Sequence, residues 1–397
     1  MALRATATPR ARRLAIPAAA VVIGLVTAGC APSSDDSATK AESEAGTVVS
    51  AATLDELRAE LDQAQAVPQF KAQGPAFSVA SLAGKKILSM PVSSQLKGCD
   101  NMARQVVDIA KSVGMTDSTY FQNDGGPAAW VQGMNQAING GYDGVALVCG
   151  IDPASLAPQM AAAKAAGIQV VDMHLADVSE PASDLIAGQT NGEFNRAMAM
   201  GVAQSLVEAN GNAVDALVIT SNENPPSVGM EQTVKDEYAR LCGDECGVES
   251  VNIPIPDYAT KLTGAVSSAL VANPDIKAVF MVFDAQTTFV ISALKASRTG
   301  AKTYAFGADE PAIELMADPA NPMGSDMGPS FPWMAYSGAD QLFRVIAGEP
   351  AIAADEAFAP YRMFTPDNAG EATPPDYGFG DSYVQGYRDL WLDAPAV

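Results

Sequence analysis

Residues 141–174 read GYDGVALVCGIDPASLAPQMAAAKAAGIQVVDMH. Two short apolar runs, 144–148 and 168–173, enclose an Ala-rich stretch of helical length. Each run has the size and residue types of a buried strand. Gly167 punctuates the return from helix to strand. The stretch therefore reads as one strand–helix–strand unit, and two consecutive buried strands joined by a helix belong to a parallel sheet. It ends on His174, the only histidine in 397 residues. A lone histidine where a strand meets a loop has four readings: base, metal ligand, ligand contact or structural residue.

The same rhythm extends in both directions. Upstream, KKILSMPV (85–92) leads to NMARQVVDIAKSVG (101–114), and STYFQN (118–123) leads to AAWVQGMNQAINGG (128–141). Downstream, SDLIAGQ (183–189) precedes a helix over 192–209. Then VDALVITS, ESVNIPI, IKAVFMVF and KTYAFGAD alternate with further helical stretches. The count of units exceeds one sheet. Two doubly wound α/β lobes in tandem fit a chain of this length. Open sheets of this kind bind ligands at the carboxyl ends of their strands. Those ends here carry Ser93, Ser94, Asn123, Asp124, Asp152, His174, Asn222, Asn224, Tyr258, Phe283, Asp284 and Asp309, types that hydrogen-bond or stack on a small polar molecule. Asn, Asp and Ser also cap helices, and these loops precede helices.

The N-terminus reads as an export signal. Arg4, Arg10, Arg12 and Arg13 precede an apolar run too short for a membrane-spanning stop-transfer helix, and LVTAGC ends at Cys30. Small residues before a cysteine resemble a bacterial lipoprotein lipobox, which implies cleavage after Gly29 and a lipid on Cys30; Thr27 stands where Leu is usual. An ordinary signal peptide with an incidental Cys30 is the alternative. Residues 30–49 are small and polar, as in a flexible tether. The formal net charge is −22, and removal of residues 1–29 takes away Arg alone. So acidic a chain repels nucleic acid and anionic headgroups.

An exported chain with Cys99, Cys149, Cys242 and Cys246 left permits two disulfides. Cys242–Cys246 suits the short CGDEC loop. One His with scattered Cys does not make a zinc site, and no cofactor is expected. There is no GxxxxGK[ST] loop and no GxSxG elbow. A triad would have to recruit His174; an extracytoplasmic hydrolase built on it is the enzymatic alternative to a non-catalytic binding protein.

Three strings carry a resemblance: residues 141–174, IPDYATKLTGAVSSALVANPDIKAVFMVFDA (255–285) and YAFGADEPAIELM (304–316), supported by FPWMAYSGADQLFRVIAGEP (331–350) and SYVQGYRDLW (382–391). Their order and spacing are similar to the periplasmic-binding-protein type I family, in its ribose-binding-protein-like branch of ABC transporter substrate-binding lipoproteins. The resemblance implies two lobes around a cleft, joined by a hinge of three crossovers near 188–191, 327–330 and 358–363. It implies lobe 1 over 80–189 plus 329–358 and lobe 2 over 190–328 plus 359–397, and its strand order, which sets the first and third strands of lobe 1 side by side, implies a second bridge, Cys99–Cys149. Residues 50–79 form an added helix and linker, with Leu54, Leu57 and Leu61 as its apolar stripe. It implies a lipid-anchored monomer outside the cell membrane that binds a sugar, polyol or similar solute and serves an ABC permease. A sensor that signals its closed state is the further possibility.

The binding positions transfer singly: Ser93, Ser94 and Gln95 after the first strand; His174-Leu175 where sugar binders often carry Asp-Arg; Tyr258 as an aromatic against the ligand; Phe283 at an Asn position, with Asp284 after it; Asp309 as a carboxylate for hydroxyl groups; and Trp333 near the second hinge strand. Gly229 replaces a pocket Arg, leaving Asn222 and Asn224. Without the bidentate Arg donors of pyranose sites, a less polar or aromatic ligand is the second choice. A contacting His174 with an ordinary pKa near ~6.5 would make affinity depend on pH around neutrality.

Overall fold

A computed structural model describes residues 47–181, 183–222, 224–374 and 376–395, with only the backbone at Pro225. Helix α1 (Ala51–Gln65) starts where the Ser50 hydroxyl accepts the Thr53 N–H at 3.1 Å, a side-chain N-cap. Its stripe of Leu54, Leu57 and Leu61 is buried. The chain then runs through β1 (Phe77–Ser78), β2 (Ile87–Pro91), α2 (Lys97–Ser112), β3 (Thr119–Tyr120), α3 (Pro127–Gly140), β4 (Gly144–Val148), α4 (Ala157–Ala165), β5 (Gln169–Asp177) and β6 (Gly188–Gly192). Strands β2 to β6 form one parallel sheet in the order β3-β2-β4-β5-β6.

Both faces of this sheet are covered, so its strands are apolar throughout rather than alternating. Leu88, Val145, Leu147 and Val170 point to the side of α3 and α4. Ile87, Ala146, Val148 and Val171 point to the side of α2. By the same two-residue period Asp172 falls on the α4 side. Strand β6 lies later than the expected 183–189, on the polar run GQTNG. Pairing with β5, Asp172 opposite Gln189, makes it a strand against its own weak propensity.

The second half repeats the design with α5 (Phe194–Glu208), β7 (Asp215–Thr220), α6 (Pro225–Cys242), β8 (Val248–Asn252), α7 (Thr263–Ala272), β9 (Ile276–Met281), α8 (Thr287–Ser297), β10 (Lys302–Phe306), α9 (Glu310–Met316) and β11 (Met323–Pro329). Then come α10 (Phe331–Ala347), β12 (Tyr361–Phe364), α11 (Ser382–Leu390) and β13 (Trp391–Leu392). The sheet order is β12-β11-β10-β9-β7-β8, with β12 alone antiparallel.

The two lobes keep separate cores, and the chain passes between them from β6 to α5, from β11 to α10, and from α10 to β12. Two more passages exist. Helix α1 packs into the second lobe with α5 and β12, and residues 66–76 carry the chain from there to β1 in the first. The C-terminal segment, expected in lobe 2, returns to lobe 1: Tyr383, Tyr387 and Trp391 bury against α10, and β13 pairs with β1. Aromatic area drives that correction, since Trp333 and Tyr336 of α10 stack on Tyr383 and Tyr387 and Phe343 meets Trp391 edge-on, and such groups dominate core energetics.

Candidate functional site

His174 interrupts β5. Its φ is 71°, a left-handed conformation costly for a residue with a Cβ, and the β5–β6 register breaks between Met173 and Asp177. The ring thereby reaches the second lobe. Nε2 lies 2.7 Å from the Tyr361 hydroxyl of β12. The ring meets Phe194 edge-on at 4.9 Å and stacks over Phe306 at 6.2 Å. Burial among these groups lowers its pKa to about 4, since a desolvated imidazole resists protonation. It is neutral at physiological pH, so the expected titration near neutrality is corrected. Among the described residues no Ser, Cys or carboxylate is hydrogen-bonded to it.

Further left-handed residues gather at other strand ends. Cys149 follows β4 at φ 65°, and Ala308 follows β10 at φ 53°. Strained backbone of this kind concentrates at functional sites. Gly307 and Gly328 allow the closest approach: a Cβ on Gly328 would lie 2.1 Å from the Gly307 carbonyl oxygen. The 307–309 turn is held from beneath by two carboxylates. Asp326 Oδ1 accepts the Ala308 N–H at 3.0 Å, and Asp284 Oδ2 accepts the Asp309 N–H at 2.7 Å. Burial first, then the charge of Asp326, raises Asp284 well above the carboxylate range, and burial lifts Asp326 to about 6. Both shifts favour the protonated form of the pair. Above it the Asp309 side chain is exposed.

Beside β5 and β6 lies a pocket of about 290 Å³, near the lower end of the range for small-molecule sites. Asp152 and Asp172, the amides Gln189 and Asn191, and Glu180 and Ser183 give it polar walls. Leu175, Ile186 and Pro226 supply apolar ones, Pro226 coming from the start of α6 in the second lobe. Among the described residues no Lys, Arg or His lines it.

The expected residues divide. Asp152 lines this pocket while capping the following turn through the Ala154 N–H at 2.8 Å. His174 and Asp309 flank the interlobe region, and Phe283 is half-buried beside the Phe306 cluster. Asp284 lies below Asp309 as its support. Ser94 is engaged with the Tyr120 hydroxyl and the Asn123 N–H, and Ser93 receives the Gln95 N–H; Gln95 is exposed. Asn222 is exposed, and Asn224 stands ahead of α6 without a side-chain capping bond.

Two expectations are corrected. Tyr258 is 5% exposed in the second-lobe core, its hydroxyl 2.5 Å from Ser221 and receiving Gln286 Nε2 at 3.0 Å, so it is not a ligand-facing wall. Trp333 is 2% exposed, stacked on Tyr383 at 4.8 Å in the first-lobe core. Sequence reasoning missed Asp172, Gln189, Asn191, Phe194, Phe306 and Tyr361. The legible signal was Asp172, an acid inside the apolar run IQVVDM.

Cys99–Cys149 and Cys242–Cys246 are both disulfide-bonded, the first tying the start of α2 to the end of β4. Cys30 lies outside the described residues. Among the described residues no cluster of three or more His, Cys, Asp or Glu could hold a metal ion, and no helix is long and apolar enough to cross a membrane.

Residues 87–350 match the family model described as periplasmic binding protein domain. No curated protein matches the chain in sequence. Solved structures are similar in fold. A subunit of an ABC sugar transporter from Rhodobacter sphaeroides 2.4.1 aligns with a TM-score of 0.61 at 17% identity, over 72% of this chain and 100% of that one. A 5-methylthioribose transporter solute binding protein from Thermotoga lettingae TMO, in complex with 5-methylthioribose, aligns at 0.61 and 13%, over 80% and 99%. An ABC transporter solute binding protein from Agrobacterium vitis with bound allitol aligns at 0.60 and 16%, over 72% and 97%.

Proposed function

The chain belongs to the periplasmic binding protein family, and from that membership we propose that it is an extracytoplasmic receptor that captures a small hydroxylated solute, a sugar or polyol, and delivers it to an ABC importer. The observation that carries this reading is the polar pocket of about 290 Å³ walled mainly by the first lobe and touched by Pro226 of the second. Carboxylates and amides at strand ends suit hydroxyl groups. The bound sugars and polyols of similar structures, allitol among them, agree with it. Asp309, with its backbone pinned by Asp284 and Asp326, is the second-lobe acceptor, and Asp152 its first-lobe counterpart.

A binding role also fits His174. Its ring nitrogen contacts the Tyr361 hydroxyl and its neighbours are aromatic, which supports an interlobe contact bordering the ligand and gives no base a substrate proton to take. Closure on ligand requires contacts that differ between open and closed states. Cys30 is the lipid attachment point of the anchored monomer, and a Cys30→Ser chain that stays as membrane-bound as the wild type would remove the anchor from this account.

The deciding experiment is a thermal-shift screen of the purified protein against sugars, polyols and small aromatics. A true ligand at 100 times its dissociation constant stabilises by about 2.7 kcal/mol. Shifts confined to the aromatics would overturn the hydroxylated-solute reading.

A further inference from the structure

The pocket between β5, β6 and α6 is acceptor-rich in a way that hydroxyl recognition alone does not require. Its amides are committed inwards: Gln189 Nε2 donates to Asn191 Oδ1 at 2.8 Å, Asn191 Nδ2 to the Ala354 carbonyl at 3.1 Å, and Gln189 Oε1 accepts the Ser183 N–H at 3.1 Å. Asp152 spends one oxygen on the Ala154 N–H. Asp172 is different. It is 1% exposed, its Oδ2 is buried with no hydrogen-bond partner, and it lines the pocket.

A buried carboxyl oxygen without a donor costs on the order of 1–3 kcal/mol, a cost the fold sustains where something else supplies the donor. With Asp152 and Glu180 on the same walls and no cation among the described lining residues, a neutral hydroxyl satisfies the hydrogen bond and leaves the acidic excess of the walls unbalanced. The absence of a metal-competent cluster among the described residues directs the reading to an organic donor.

We propose that this pocket is a subsite for a positively charged amino group carried by the solute, with Asp172 as its counter-charge and Asp152 beside it. The proposal rests on the reading of the chain as a receptor for hydroxylated solutes and narrows it to aminated ones, such as amino sugars or amino polyols. An ammonium brings three N–H donors and no acceptor, which suits walls carrying the carboxylates Asp172, Asp152 and Glu180, and charge-assisted bonds of this kind are about twice as strong as neutral ones. Burial, and then the charge of Asp152, hold Asp172 well above the ordinary carboxylate range; a bound cation acts in the opposite direction.

The test uses matched pairs on the purified full chain by titration calorimetry: D-glucosamine against D-glucose and N-acetyl-D-glucosamine, and 1-amino-1-deoxy-D-glucitol against D-glucitol. The expected result is at least tenfold tighter binding of one amine than of its neutral partners, and loss of that preference in Asp172→Asn. Neutral partners that bind as tightly as the amines in the wild type overturn the amino subsite and leave the hydroxylated-solute reading standing. Binding by no member of either pair overturns both. A preference retained in folded Asp172→Asn, checked by its melting temperature, removes Asp172 from the role. Should that variant not fold, the wild-type comparison alone decides the subsite.

Discussion

The hydrogen bond between His174 and Tyr361 joins the lobes, and its worth follows from its surroundings. Tyr361 is 3% exposed, and its ring stacks on Phe306 at 5.9 Å, a contact that Phe would keep. Tyr361→Phe therefore removes one neutral bond and strands Nε2 of His174, a loss of about 1–3 kcal/mol. His174→Ala removes the same bond, strands the tyrosine hydroxyl and also gives up the edge contact with Phe194. Adding about 0.5–1.5 kcal/mol for that aromatic pair brings its cost to about 1.5–4.5 kcal/mol. Because both variants break one interaction, their effects are not additive. In a double-mutant cycle read by equilibrium urea unfolding of the unliganded protein, the coupling should be about 1–2 kcal/mol. A coupling within the ~0.5 kcal/mol found for independent sites would mean that the bond does not form in solution, and the assignment of His174 as an interlobe contact would fall with it.

Three further outcomes follow from the same contacts. Asp326, lifted by burial to about 6 against an unfolded value near ~3.9, holds its proton in the folded state where the unfolded chain has lost it. The stability it contributes is whole below pH ~4 and is lost as pH rises through ~6; Asp326→Asn should flatten that fall and raise stability at pH 8 by up to about 3 kcal/mol, and a less stable variant at pH 8 would contradict the sign. Removing the Cys99–Cys149 bridge, which spans a sequence separation of 50 against 4 for Cys242–Cys246, should cost about 4 kcal/mol against about 2 on loop-closure entropy, so equal losses in denaturant unfolding of the two Cys→Ser pairs would speak against it. Leu57→Ala, at a site 4% exposed between α1 and α5, should cost about 2–5 kcal/mol; an unchanged unfolding midpoint would detach α1 from the second lobe.

The fold was legible because parallel sheets covered on both faces write themselves as apolar runs. Each expected strand became one, except that 183–189 slid onto the polar run beginning at Gly188, where pairing with β5 overrides propensity. The site was legible only in part. Strand ends mark where ligand-facing loops are expected, which made Asp152, His174 and Asp309 candidates, and of these Asp152 lines the pocket. Whether an aromatic there faces ligand or core depends on remote chain. Phe70 and Tyr383, far apart in sequence, cover Trp333, and Ser221 with Gln286 draws the Tyr258 hydroxyl inwards. Asp172 was hidden for the opposite reason: inside IQVVDM it reads as one polar letter in a strand, and its isolation shows only once β6 and Pro226 close around it.

The five passages of chain between the lobes have a mechanical consequence. Ribbons clamped side by side between two rigid blocks form a leaf flexure, compliant about the single axis that bends all of them together and stiff against twist or sideways shear, which stretch some and compress others. Residues 66–76 and the short crossing between Phe379, buried in the second lobe, and Tyr383, buried in the first, add two leaves to the three of the hinge. One of them begins at α1, and Thr47 ahead of it bridges to Asn212 of the second lobe, so a force applied at Thr47 is delivered to the second lobe first and reaches the first lobe through the flexure.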